Sequence, residues 1–193
     1  MSIPVDPQLF VKRLLELYGG RDKAFAVLGR RFQAFAERWD QDAGAIGRIL
    51  RAHLFVEHYI TQYLQSRNPK LPDVGGARLS FAQKVALIGT TDRSVAHLTS
   101  GLQRLNKVRN RLAHTLMAEV TSEDSQAFLS IDLFREMRRA AAAPRTPSED
   151  PISVLEDFAQ HAGAMLESAS SPDSKLWAEA IWGDADAPAS KAT

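Results

Sequence analysis

The sequence predicts an all-α fold: an antiparallel helical bundle with further helices at its N- and C-terminal periphery. Three observations point there. Apolar residues recur at three- and four-residue spacings along most of the chain, the period of a helix with one buried face. No stretch alternates apolar and polar residues in the Val-, Ile- and Thr-rich manner of a half-buried strand. The prolines stand at 4, 7, 69, 72, 144, 147, 151, 172 and 188, and none interrupts a long periodic segment.

The first helix is expected from Pro7, with Asp6 as its N-cap, to Gly19-Gly20. A second covers 21–39. The third runs from Gln41 to Ser66 and ends at Asn68-Pro69, because the residue before a proline is pushed out of the helical region. Residues 67–79 read as a Pro/Gly loop, and Ser80 caps a short helix to Ile88. After a break at 89–92, a long helix is expected from Ser94 to Leu116. Ser122-Glu123-Asp124 opens another, reaching Ala143 with an irregularity near 128–132. Residues 144–150, PRTPSED, form a linker, and two acidic helices follow at 151–168 and 173–182. This divides the chain into N-terminal helices packing on the bundle (1–40), the bundle (41–143), an acidic helical appendage (144–183) and a disordered tail (184–193). Trp177 and Trp182 are expected to anchor the appendage.

Composition narrows the chemistry. The chain of 193 residues has no cysteine, which excludes disulfides, thiolate metal sites and a cysteine nucleophile. No apolar run approaches the roughly 20 residues that span a bilayer, and the N-terminus lacks a secretory pattern, so a soluble cytoplasmic protein without membrane contact is expected. The net charge of +1 conceals an asymmetry. Residues 1–145 hold 22 Lys and Arg against 14 Asp and Glu, an excess of eight positive charges. Residues 146–193 hold 2 against 9, an excess of seven negative ones. A basic body favours an anionic partner, and an acidic end can mask it or simply aid solubility.

Two helices carry polar residues where a core face is expected. On 41–66, Ile46, Leu50, Ile60 and Leu64 share a face with His53 and Glu57 in its middle. On 94–116, Val95, Leu98, Leu102, Leu105, Leu112, Ala113 and Leu116 form a stripe with Arg109 near its centre and Asn106, Asn110 and His114 along one edge. An inward Arg needs a carboxylate, so an Arg109–Glu57 contact is expected. His53 fits either a supporting role at the site or an ordinary buried histidine.

Residues 105–114, L-N-K-V-R-N-R-L-A-H, place Arg109, Asn110 and His114 in an R-N-x-x-x-H pattern. This resembles the motif of the HEPN superfamily (higher eukaryotes and prokaryotes nucleotide-binding domains). The frame agrees over about 41–116: a long helix, RILRAHLFVEHYITQYL, then a Pro/Gly loop, a short helix in FAQKVALIG, and the motif helix. LSFAQKVALIG and LNKVRNRLAH are also similar to the mannitol operon repressor family, whose members are linked to regulation. The first resemblance implies a homodimer in which two motifs form one composite site, and metal-independent endoribonuclease activity with no cofactor. It also implies the biology of a toxin or anti-phage effector, with an antitoxin or regulatory protein as a further partner. The second implies a non-catalytic regulatory or protein-interaction module.

The residue types suit RNA cleavage by the RNA's own 2′-hydroxyl. Such cleavage needs a base, an acid and fixed positive charge on the phosphorane, and imidazole and guanidinium supply them near neutral pH. In this reading His114 moves protons, Arg109 stabilises the phosphate, Asn110 orients one of them, and Glu57 and His53 support them. Arg104, Lys107 and Arg111 lie on the same helix with no acidic residue between 93 and 118, and could follow an RNA backbone or be a solvated face. Arg135, Arg138 and Arg139 form a second basic cluster. His58 and His97 read as surface residues. His53 and His58 are about 140° apart round a helix, a poor arrangement for one metal ion.

Overall fold

The computed structural model describes residues 6–40, 42–70, 74–89, 92–114, 119–176 and 179. Among them there is no strand. The fold is all-α, in two compact units, 1–42 and 43–193. Among the described residues no helix is long and apolar enough to cross a membrane.

The first unit is a helical hairpin, α1 (Pro7–Leu17) and α2 (Arg21–Trp39). The Asp6 carboxylate accepts from the backbone N–H of Gln8 at 2.9 Å, the expected N-cap, and Pro7 needs no N–H partner at the first helical position. Gly19 and Gly20 turn the chain with positive φ. Ala24 is fully buried, and Arg31 donates to the Tyr18 hydroxyl. Phe25, Phe32, Phe35 and Trp39 are exposed on one side of α2.

The second unit holds α3 (Ala43–Arg67), α4 (Phe81–Ile88), α5 (Arg93–Ala96), α6 (Thr99–His114), α7 (Ser122–Leu129), α8 (Asp132–Ala142) and α9 (Pro151–Ser170). Local chemistry sets most of these limits. Ser80 and Gln83 form a reciprocal capping box on α4, and Thr121 and Asp124 form one on α7. The expected helix over 94–116 is divided: α5 ends at Ala96 and α6 begins at Thr99. The irregularity near 128–132 is the junction between α7 and α8. The expected helix at 173–182, with Trp177 and Trp182, and the tail at 184–193 lie largely or wholly outside the described residues.

The core centres on α3 and α9. Val154, Leu155, Phe158, Ala162 and Leu166 of α9 are fully buried, as are Val56 and Ile60 of α3. The segment expected as an acidic appendage from 144 thus supplies a central helix of the unit. Its net negative charge obscured this, because the few acids of α9 lie outside its buried face: Glu156 pairs with Arg48 at 2.6 Å and Arg51 at 2.7 Å, and Asp157 with Arg138 at 2.7 Å. The same contacts give direction. Arg48 and Arg51 meet Glu156 near the start of both helices, and Phe55 and Tyr59 lie beside Gly163 further along, so α3 and α9 run parallel.

Close approach depends on two glycines. A Cβ at Gly101 of α6 would lie 2.8 Å from Ile131 Cδ1 and nearer still to the Phe158 ring. At Gly163 it would meet Phe55 and come within 3.2 Å of Tyr59. The Phe158 ring stacks on Phe128 at 4.8 Å and meets Phe134 edge-on at 5.5 Å.

The rings of His97 and His161 meet inside the unit. His161 of α9 sits 5.8 Å from the His97 ring and 5.4 Å from Phe134, centroid to centroid. The ring nitrogens of His97 are buried, so the expected surface position for His97 does not hold. Burial, assisted by His97, lowers the His161 pKa to about 4.

Gly101→Ala should destabilise by about 1–3 kcal/mol, because the buried Phe158 ring and Ile131 must move to admit the methyl group. Gly47→Ala, a helical position with open space, should instead stabilise by about 0.5–1 kcal/mol. Urea denaturation measures both. A second expectation concerns acid. An unfolded histidine takes up its proton near pH 6.5, whereas folded His161 does so only at about 4. Its contribution is therefore full above pH 6.5 and lost as pH falls toward 4, by at most about 3 kcal/mol. The fall in urea midpoint from neutral pH to pH 4.5 should be smaller in His161→Phe than in the wild type.

Candidate functional site

α6 carries the motif, and its rotation decides which residues it offers. Gly101, Leu102, Leu105 and Val108 are buried, and Leu112 is half-buried. The inward stripe therefore passes through Val108 rather than Arg109. Both choices satisfy three-and-four spacing, but burying valine costs nothing while burying a guanidinium requires a partner. Arg109, Asn110 and His114 are exposed. α3 shows the same shift: Ile49, His53, Val56, Ile60 and Leu64 face the core, while Leu50 is 40% exposed.

The expected Arg109–Glu57 pairing is replaced by another. Glu57 accepts from the Lys84 ammonium at 2.8 Å, and Lys84 is itself buried, on the apolar face of α4 between Phe81 and Ile88. The sequence contains this signal, since Phe81, Lys84, Val85 and Ile88 have helical core spacing. His53 lies behind this pair, its Nδ1 3.9 Å from Glu57 and its ring 4.1 Å from Phe81. Burial lowers its pKa, Glu57 and the Asn106 amide oppose that, and Arg109 and Lys84 reinforce it. His53 Nε2 is buried without a hydrogen-bond partner. The cluster thus joins α3, α4 and α6 below the exposed motif, with Arg109 near enough to act on His53.

Around the exposed edge the cations differ. Arg109 donates from Nη1 to Asn110 Oδ1 at 3.2 Å, and among the described residues no carboxylate pairs with it. Lys107 is exposed. Arg104 and Arg111, expected to follow an RNA backbone, are held by acids of α7. Arg104 donates to Glu123 at 2.8 Å and to Asp124 at 3.3 Å. Arg111 donates to Asp124 and, at 2.8 Å, to the Glu119 carbonyl. Asp124 is fully buried. Burial pushes its carboxyl pKa up, but the Thr121 N–H, Arg111 and the Thr121 hydroxyl together hold it below the usual range. The second basic cluster is likewise engaged: Arg135 with Asp132 and Glu136, Arg138 with Asp157, and Arg139 with Glu136. The contiguous run of free cations expected along 104–111 is reduced to Lys107 and Arg109.

Chemically, the edge offers one guanidinium, one carboxamide and one imidazole to solvent. Asn110 and His114 are one turn apart and share a face. Arg109 and His114 are five apart, about 140° round the axis, with Asn110 between. One chain therefore directs its guanidinium and its imidazole to different sides of α6. Among the described residues, no three His, Asp or Glu side chains gather as a metal site.

Removing one partner of the Glu57–Lys84 pair should leave a buried charge unmatched. Glu57→Gln should cost about 2 kcal/mol, less than a fully buried pair because Glu57 is 28% exposed. The double variant Glu57→Leu/Lys84→Met should recover most of that loss. Chemical denaturation of the three variants measures the coupling.

Comparison of the chain with protein-family models, with curated proteins and with solved structures finds no match, so the functional reading rests on the residues and their geometry.

Proposed function

We propose that the exposed Arg109–Asn110–His114 edge of α6 binds RNA phosphate, and that two copies of the chain together form a metal-independent endoribonuclease site of the HEPN type. The supporting observation is the state of Arg109. It is exposed and among the described residues is bonded to Asn110 without a carboxylate, while Arg104 and Arg111 on the same helix are neutralised by Asp124 and Glu123. A guanidinium held by an amide keeps its full charge and most of its donors for an incoming phosphate.

The angular separation of Arg109 and His114 supports the two-copy requirement. General acid–base cleavage needs two proton-transfer groups across one phosphate. One chain offers a single exposed imidazole at this edge, because His53 is buried. Two facing edges supply two imidazoles and two guanidinia. One His114 takes the 2′-hydroxyl proton, and the other protonates the departing 5′-oxygen. The P–O5′ bond breaks as the 2′-oxygen bonds to phosphorus, leaving a 2′,3′-cyclic phosphate. Arg109 stabilises the charge on the phosphorane oxygens. A toxin or anti-phage role belongs to this proposal. The alternative, a non-catalytic regulatory or protein-interaction module, is favoured by the few free cations at the edge.

Wild-type protein and His114→Ala, incubated with mixed RNA in EDTA, separate these readings. The proposal expects cyclic-phosphate ends from the wild type and a rate about 10²–10⁴-fold lower in His114→Ala. Arg109→Ala should weaken RNA binding and lower the slope of log affinity against log salt by about one. RNA bound but uncut by a folded wild type would establish the module instead, and neither binding nor cleavage would overturn both nucleic-acid readings.

A further inference from the structure

A cavity of about 800 Å³ opens between α8, the 143–148 turn and α9, away from the motif. Its volume lies within the range of small-molecule sites. The apolar wall is made by Met137 of α8 with Ala141 and Ala164, over the Phe134 ring buried beneath them, and a thioether between small side chains suits a flat apolar group.

The polar groups are few and unequal. The Arg138 guanidinium is held by Asp157 at 2.7 Å and by the Ser148 carbonyl at 2.5 Å, so this pair contributes little net charge. Arg145 also lines the cavity, and among the described residues no acid pairs with it. The cavity therefore carries one uncompensated positive charge. His161 lines it too, and its Nε2 is buried without a hydrogen-bond partner.

We propose that this cavity is a ligand site for a small aromatic carboxylate. The aromatic body lies against Met137, Ala141 and Ala164, and the carboxylate pairs with Arg145. Acid supports the assignment by elimination: His161, its pKa lowered to about 4, is neutral near pH 7, so Arg145 is the anchor for the charge. The assignment does not depend on the RNA reading, because no lining residue belongs to the motif edge.

The test uses protein labelled with ¹³C at methionine methyls and titrated with 1-naphthoate. Its uncharged analogue 1-naphthalenemethanol is the comparison. The Met137 methyl, assigned through Met137→Leu, should shift and saturate, while the Met165 methyl in the core should stay still. Naphthoate should bind at least about tenfold more tightly than the alcohol, and Arg145→Gln should remove that difference. Ala164→Trp should abolish the shift with both compounds. Ala141→Trp fills the opposite wall and makes the same test should the first variant not fold. No Met137 shift up to the solubility limit would overturn the proposal, as would a shift that survives a folded Trp variant. Equal binding of the two compounds would overturn it as well.

Discussion

The buried Asp124 carboxylate governs the orientation of α6. It is fully enclosed, and a lone carboxylate there would be prohibitively costly. It is stable because four donors converge on it. The Thr121 N–H and hydroxyl reach it from the cap of α7, and Arg104 and Arg111 reach it from α6. Arg104 and Arg111 are seven residues apart, two turns along one side of the helix. Holding both against α7 fixes the rotation of α6 about its axis. With that rotation set, Val108 must face the core and Arg109, Asn110 and His114 must face solvent.

The same contact separates the cations of α6 by function. Those on the α7 side are structural, since their charge stabilises an acid that would otherwise be unmatched. On the far side, Arg109 approaches the His53–Glu57–Lys84 cluster without pairing to its carboxylate. Lys84 neutralises Glu57, so Glu57 does not take Arg109 away from solvent. A buried lysine, contributed by a short helix, thus takes the carboxylate that would otherwise draw the Arg109 guanidinium inward. The cost is a buried ion pair, and such pairs specify geometry more than they add stability.

α9 plays the corresponding part for the core. It lies parallel to α3, approaches through Gly163, and presses Phe158 against Gly101 of α6. The acids on its flank are matched by Arg48, Arg51 and Arg138, so the negative charge of this region is used in packing. Beside α8 and α9 the packing is incomplete, and there Arg145 lines a cavity. The unit thus presents an exposed polar edge on α6 and a polar opening beside α8.

By itself the sequence determined the helical class and most helix limits. Those are local properties, set by the Asp6 and Ser80 caps, by the prolines and by residues a few positions apart. It also exposed the motif residues, because their types and spacing need no tertiary context. What faces what was settled only by the fold. Three-and-four spacing fits a stripe through Arg109 as well as one through Val108, and only burial of α6 against its neighbours chooses between them. The partner of Glu57 lies on α4, and the partners of Arg104 and Arg111 lie on α7, at separations no local pattern encodes. Net charge concealed the central helix α9, since composition sums over all faces of a helix while packing uses only one. Segment chemistry decides where a helix forms, and the cost of burying each face decides how it is turned.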